Sequence, residues 1–371
     1  MSLRAQAAIV GIGELPTKRQ YPGRSVYGLM AEAARLAIED AGLTKADIDG
    51  LICEGTPTSV QMADYLGIRP NFSTSVNMQG ASGATSVLVA ASTIAAGVCN
   101  TILIVIGSAR DTSPDLAPGA RPGGAPAPSI ASEFEMPFGP AQGAGTGYAL
   151  AYRRHMEEYG TTPEQMAKLA ADQRFNALTN PNSAFMGQPI SVEDVLNSRY
   201  INEPLHMLEC VMPAAGAAAC IVTSAERAKS LRNKPVYVLG CGLEQANVAL
   251  WETDKITTTP VRVSALRAFE MAGYGPKDVQ FAEFYDCYTI LIAMSLEDAG
   301  FVKKGEIGPF YESTDTTYKG TFPINTDGGQ LSCGQPGIAG GFRHVIEAAR
   351  QIMGRAEERQ VEKNDLCLVN G

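Results

Sequence analysis

The sequence predicts an α/β fold in which one helix–strand architecture is used twice, and three observations carry that prediction. Strand-like and helix-like segments alternate along the chain, the pattern of a sheet flanked by helices. Residues 34–48, ARLAIEDAGLTKADI, match residues 265–279, ALRAFEMAGYGPKDV, without a gap. Six identities fall in register (Ala34/Ala265, Ala37/Ala268, Glu39/Glu270, Ala41/Ala272, Gly42/Gly273 and Asp47/Asp278), which marks a duplicated unit. The stretch Val76–Arg110 combines a Gly-rich turn, an Ala-rich helix and a buried strand, and the rest of the chain is organised around it. At 371 residues the chain exceeds the roughly 250 to 300 that one hydrophobic core serves, so two core units are expected.

Taken in order, Ala7–Val10 is a short buried strand closed by Gly11 and Gly13. Ser25–Ala41 places Val26, Leu29, Ala33, Leu36, Ala37 and Ala41 at helical spacing, and Gly42 ends that helix. Ile48–Cys53 and Phe72–Val76 return as strands. Next comes the turn Gly80-Ala81-Ser82-Gly83, with Ser82 as the N-cap of a helix that Gly97 stops. Residues 84–96 are small and apolar on nearly every side, as in a buried helix. Gly97 and Asn100 interrupt the run from Ala84 to Ile106, which therefore does not predict a membrane span. The alternation implies a largely parallel sheet.

A long insertion follows, residues 111–208. It opens with the Pro/Gly/Ala loop SPDLAPGARPGGAPAPS at 113–129, continues with helices over Thr146–Tyr159 and Pro163–Leu178, and turns at Asn180–Ser183. The expected organisation is an N-terminal half of residues 1–110 plus 209–230, an inserted loop domain over 111–208, and a C-terminal half over 231–371. In that last half a strand is expected over Val279–Glu283, a counterpart of the central helix over Gly340–Gly354 and a strand over Leu366–Val369.

A net charge of −9 gives no electrostatic support for binding nucleic acid or an anionic membrane. Small molecules and proteins are the expected partners. Eight cysteines (53, 99, 210, 220, 241, 287, 333 and 367) are dispersed without a CxxC pair, which reads as a reduced, cytoplasmic protein. The N-terminus runs into a strand without the pattern of a signal peptide.

Three loops join turn residues to polar side chains at expected strand ends, where active sites of open α/β sheets lie. The first is Asn77-Met78-Gln79-Gly80-Ala81-Ser82-Gly83, whose backbone N–H groups face a helix N-terminus. The second is Glu283-Phe284-Tyr285-Asp286-Cys287-Tyr288, and the third runs from Asn325 through Gly328, Gly329, Cys333, Gly334 and Gln335 to Gly337. Each has a plain structural alternative. Gly328-Gly329 can serve only to turn the chain, Tyr285 can be a core aromatic, and Cys287 and Cys333 can be small buried hydrophobes.

Together the three loops, the opening IVGIGELP, the crossing segment LECVMPAAGAAACIVTSAERA (208–228) and the duplicated halves resemble the thiolase superfamily, in particular the sterol-carrier-protein type and its thiolase-like relatives. The resemblance covers nearly the whole chain and implies a duplicated α-β-α-β-α layered fold with an inserted loop domain. In that family the first loop carries a nucleophilic Cys, the second reads HDCF and the third GGxxxxGHP. Here Gly80 stands at the nucleophile, Tyr285 at the first His and Gln335 at the second. The acidic residue expected near the crossing is also missing, with Ala214 and Ala215 after Pro213. The family continues beyond the equivalent of Gly371 into a last strand, so the resemblance implies either a shortened C-terminal half or a sheet completed by a partner.

Without the nucleophile, thiolysis through an acyl-Cys is not expected. The resemblance to thiolase-like retro-aldolases of steroid side-chain degradation implies cleavage of a β-hydroxyacyl-CoA instead. Tyr285, Asp286, Cys287 and Gln335 are then the expected catalytic residues, with Gly80, Gly329, Ser82 and Asn77 shaping an oxyanion turn. A coenzyme A thioester is the expected substrate, with no permanently bound cofactor and no metal. Two alternatives stand beside this one: a degenerate acyl-CoA-binding subunit of a hetero-complex, and an acyltransferase that recruits Cys287 or Cys333 as nucleophile. The resemblance further implies a homodimer paired through the strand near Leu103, and a small zinc-ribbon/OB-fold partner.

Overall fold

In the computed structural model, residues 3–109, 144–246 and 253–371 are described. The Pro/Gly/Ala loop expected at 113–129 lies outside them. Strand β1 (Ala7–Glu14) leads into α1 (Val26–Asp40), and β2 (Gly50–Cys53) into α2 (Ser59–Leu66). Strand β3 (Phe72–Ser75) precedes α3 (Ser82–Ala95), and β4 (Thr101–Ser108) follows it. The insertion supplies α4 (Ala144–Tyr159), α5 (Pro163–Ala177), α6 (Val192–Asn197) and a small hairpin of β5 (Tyr200–Asn202) and β6 (Leu205–His206). Strand β7 (Gly216–Ser224), α7 (Ala225–Ala228) and β8 (Val236–Tyr237) return to the first sheet. The remainder comprises α8 (Val261–Ala272), β9 (Phe281–Glu283), α9 (Thr289–Asp298), α10 (Ile307–Ser313), α11 (Gly329–Cys333), α12 (Ala339–Ile352) and β10 (Cys367–Val369).

The main sheet has the order β3-β2-β4-β7-β1-β8. It is mixed, not largely parallel: β2, β3 and β4 run parallel, whereas β7 is antiparallel to both β4 and β1, and β8 to β1. Strand β7 arrives from the insertion rather than through a helical crossover, which frees it from the direction such a crossover imposes. Both faces are buried, so side chains sort with period two. Ile9, Ile52, Ile102, Ile104 and Val222 face α3 and α12, while Val10, Leu51, Leu103, Val105 and Ile221 face α1 and α2.

Strand β1 does not close at Gly11 and Gly13 but runs through both. A Cβ on Gly11 would lie 2.5 Å from the Ala37 carbonyl oxygen, and one on Gly13 would collide with that of Ala33. Glycine here lets α1 lie directly on the strand; it is not a terminator. A second correction concerns Leu103. Strand β4 sits inside the sheet and Leu103 is fully buried, so it offers no edge for dimer pairing; the sheet ends at β3 and at the two-residue β8.

The repeated sequence builds the same unit twice. Helix α1 and α8 are each followed by a single 3-10 turn, Lys45–Asp47 and Pro276–Asp278, and then by β2 and β9. The repeated aspartate explains the match: Asp47 Oδ2 accepts from Thr44 N at 2.9 Å and Asp278 Oδ2 from Gly275 N at 2.8 Å, which caps both turns. Strand β10 lies parallel to β9, as β4 does to β2. Helices α3 and α12 pack on one another between the two sheets, and α8 and α9 cover the far side. The outcome is a layered α/β/α/β/α molecule whose central helices approach all three candidate loops.

Candidate functional site

Ser82 is not the N-cap of α3 but its first residue, because a 3-10 turn over Gln79–Ala81 runs into the helix. Its buried hydroxyl accepts from Met78 N at 2.9 Å and donates to Gln79 O at 2.7 Å, which fastens the turn from inside. Asn77 is exposed; its Oδ1 accepts from Gln79 N at 3.2 Å and its Nδ2 donates to Glu54. Both residues shape the turn and neither side chain reaches Tyr285. The half-buried Gly80 is what meets the phenol.

A Cβ on Gly80 would lie 2.5 Å from Cε2 and 2.8 Å from Oη of Tyr285, and nearer still to Cζ. The phenol therefore occupies the volume that any side chain at position 80 would need. Its hydroxyl accepts from Gln335 Nε2 at 3.0 Å. Gln335 is placed by its backbone, which accepts from Ala214 N and donates to Met212 O, each at 2.8 Å. Gly80, Tyr285 and Gln335, from three separate loops, thus come together as the sequence predicts. Burial, reinforced by the neighbouring Cys287 and Asp286, pushes the Tyr285 hydroxyl well above the ordinary phenol value, so the resting group is protonated.

Asp286 points away from the phenol's hydroxyl. It is fully buried and accepts from Gln330 N at 2.9 Å and Leu331 N at 3.1 Å, at the start of α11. Gly329 makes this approach possible, since a Cβ there would collide with Asp286 Oδ2. Its amide, expected in an oxyanion turn, already donates to Asp327 Oδ1 at 2.7 Å. That donor is committed, as are the amides of Met78, Gln79, Ala81 and Ser82 in the first turn, which leaves the Gly80 N–H for such a role. Cys333 is fully buried and its Sγ donates to Asp327 O at 3.0 Å. Burial holds the thiols of Cys333 and Cys287 well above their ordinary value, the opposite of what activates a nucleophile. Cys287 sits among phenols: Tyr148 of α4 is its hydrogen-bonding neighbour, and the Tyr148 and Tyr288 rings lie 4.8 Å apart.

Sequence reasoning missed the charged core behind the phenol. His344 of α12 lies fully buried, with Nε2 3.1 Å from Asp286 Oδ1 and Nδ1 3.5 Å from Glu283 Oε2. Arg343 pairs with Glu14 at 3.1 Å and Asp327 at 3.2 Å; Arg350 and Arg359 pair with Glu347, and Arg350 also with Glu14. This connected set holds five carboxylates and four cations. Burial, opposed by the hydrogen bond to His344 and helped by Asp327 and Glu347, pushes Glu283 up to about 7. The available signal was Arg343, His344, Glu347 and Arg350 clustered in a segment otherwise read as a buried helix.

Burial opposes ionisation of Glu14 and Glu347, but their arginines outweigh it and hold both carboxyls below the usual range. A depressed carboxylate stabilises the fold above its unfolded value of about 4.3 and loses that contribution as pH falls through the folded value. Urea unfolding is accordingly expected to show stability falling steeply below about pH 4. Replacing Glu14 with Gln should shrink that acid slope, and an unchanged slope would show that the network does not set it.

A cavity of about 500 Å³ lies beside β10, between the Leu239–Leu243 segment and the Ala81–Leu88 end of α3. None of Tyr285, Asp286, Cys287 or Gln335 lines it, so it is not where the phenol meets a substrate.

Comparison with known proteins agrees with this architecture. Residues 242–371 match the family model described as "Thiolase C-terminal domain-like". The chain is 35% identical to an acetyl-CoA acetyltransferase of Methanothermobacter thermautotrophicus, over 93% of this chain and 91% of that protein. It is 33% identical to a 17-hydroxy-3-oxo-4-pregnene-20-carboxyl-CoA lyase of Mycobacterium tuberculosis, over 95% and 92%. A solved structure titled "Ltp2-ChsH2(DUF35) aldolase" superposes with a TM-score of 0.86 and 31% identity, covering 95% of this chain and 91% of that one. With the layered duplicate fold, the three convergent loops and full-length relatives of both activities, the chain belongs to the thiolase superfamily, among its sterol-carrier-protein-type thiolase-like members.

Proposed function

We propose that this protein is an acyl-CoA carbon–carbon lyase that cleaves a β-hydroxyacyl-CoA by a retro-aldol reaction, with a branched, steroid-like acyl group. The observation that carries the reading is the overlap of the Tyr285 phenol with the space of a side chain at Gly80. A covalent acyl-enzyme at this turn and a phenol in this pose exclude one another. The related lyase and aldolase support the same reaction class.

Because burial keeps Tyr285 protonated, a mechanism that needs a free phenolate fits poorly. The phenol instead accepts the β-hydroxyl proton as it hands its own proton to Cα. The Cα–Cβ bond breaks, the β-carbon leaves as a ketone or aldehyde, and the acyl-CoA keeps the transferred proton. Atoms balance without an added base. Gln335 orients the phenol oxygen, and the Gly80 N–H faces the thioester oxygen as an oxyanion donor, a contribution of about 3 kcal/mol. Cleavage of a β,β-disubstituted β-hydroxyacyl-CoA in deuterated water tests this. The released acyl-CoA should carry one deuterium at Cα and the protein no acyl adduct; an adduct on Cys287 or Cys333 would reject it.

The assembly we propose is a homodimer joined along β3, with a small zinc-ribbon/OB-fold protein as a second partner, in keeping with the DUF35 component of the similar aldolase. Strand β3 is the longer of the sheet's two edge strands, alternating half-buried and exposed residues, and an edge strand is a template for pairing. Light scattering should give a dimer mass at micromolar concentration, and Thr74→Pro should shift it toward monomer; a monomeric parent protein refutes the pairing. The eight unpaired thiols fit a reducing, cytoplasmic setting.

A further inference from the structure

Helix α12 carries Gly341 and His344 three residues apart, hence on one face. A Cβ on Gly341 would collide with Gly80 O and lie 3.2 Å from Tyr285 Cδ2, so the helix is pressed against both. One turn further, the His344 ring lies edge-on to Tyr285, with centroids 6.5 Å apart at 65°. Its two nitrogens face different carboxylates: Glu283, two residues before Tyr285, and Asp286, the residue after it. Each carboxylate is anchored on its other side. Glu283 Oε1 accepts from Thr326 N at 3.0 Å and Thr326 Oγ1 at 2.9 Å, and Asp286 accepts from the Gln330 and Leu331 amides. The second and third loops thereby form one frame, and the imidazole closes it.

We propose that His344 is a positioning residue for Tyr285: it staples the chain on both sides of the phenol and so holds the hydroxyl over the Gly80 turn. A neutral imidazole has one N–H and serves one carboxylate, whereas facing two acceptors calls for the doubly protonated ring. Burial works against that charge, but hydrogen bonds to Asp286 and Glu283 outweigh it and push the imidazole up to about 10. The other polar group at the ring is Gln330, whose Nε2 lies 3.5 Å from His344 Nε2; Asp327, Glu347 and Arg343 complete the charged surroundings. His344 need not touch substrate to act in this way.

Two measurements test the staple. With only three histidines in the chain, nitrogen-15 histidine labelling resolves each imidazole, and His344→Gln identifies the signal by its loss. The His344 ring should remain doubly protonated as pH rises past the ordinary value of about 6.5; a singly protonated ring at neutral pH overturns the proposal. In kinetics, His344→Gln should lower kcat about 100-fold with KM for the acyl-CoA within about threefold, the pattern of a displaced rather than a missing group. Combining it with Glu283→Gln lets the introduced amides bond to one another and to Asp286, so kcat should recover at least about tenfold over the single variant. A single variant within about threefold of the parent in kcat, or no recovery in the double variant, also overturns it. The kinetic readout rests on the retro-aldol reading and the labelling experiment does not: if Tyr285→Phe leaves turnover unchanged, that reading fails while the imidazole signal still decides the staple.

Discussion

Tyr285→Phe is expected to lower retro-aldol turnover by about 10²- to 10⁴-fold, the range that one positioned proton-transfer group contributes, with binding of the acyl-CoA nearly unchanged. Phenylalanine keeps the ring that fills the space over Gly80 and lies edge-on to His344, and it removes only the hydroxyl. The Gln335 amide loses its partner, but Gln335 is half-buried and can turn to water. The stability cost should therefore stay near the 0.5 to 1.5 kcal/mol, approximately, of one hydrogen bond. Turnover and stability thus separate in this variant. Steady-state cleavage, calorimetric CoA binding and urea unfolding on the same preparation measure all three, and turnover within about threefold of the parent would remove the phenol from the chemistry.

The fold was legible wherever one local rule dictated one outcome. The 34–48 and 265–279 match foretold a duplicated unit, and the structure shows its cause: Asp47 and Asp278 cap the same turn in each copy. Gly11 and Gly13 show where such rules mislead: glycine ends a strand or admits a neighbouring backbone, and only the packing of α1 decides which. The mixed sheet escaped for a similar reason, since the direction of β7 depends on where the insertion delivers it. At the site, the three loops were found through their turn residues, which leave a mark in sequence. His344 was not, because a buried imidazolium is defined by what surrounds it, and Glu283 and Asp286 lie some sixty positions away in the chain. Asp286 stands out in sequence by its adjacency to Tyr285 and Gly329 by its turn; neither signal shows that their bonds run to the start of α11 and to Asp327.

Restoring a thiol at the turn by Gly80→Cys is expected to damage the protein rather than give it a thiolase's nucleophile. The new Cβ would lie 2.5 Å from Cε2 and 2.8 Å from Oη of Tyr285, and the ring has no easy retreat. Gly341 of α12 closes one side, Gln335 holds the hydroxyl, and the residues flanking the phenol are tied to His344. An overpacked site of this kind costs about 1 to 3 kcal/mol. Displacing the phenol by about 1 Å should also cost at least about 100-fold in cleavage. Adding Tyr285→Ala vacates the contested volume, so a double-mutant cycle read by urea unfolding should show a favourable coupling of about 1 to 2 kcal/mol between the two substitutions. Additive effects would mean that residues 80 and 285 do not compete for one space. If the coupling is found, the two departures from the thiolase pattern are one change: a chain with a phenol in this pose has to carry glycine beneath it, and a chain with a cysteine at the turn has to keep the phenol out.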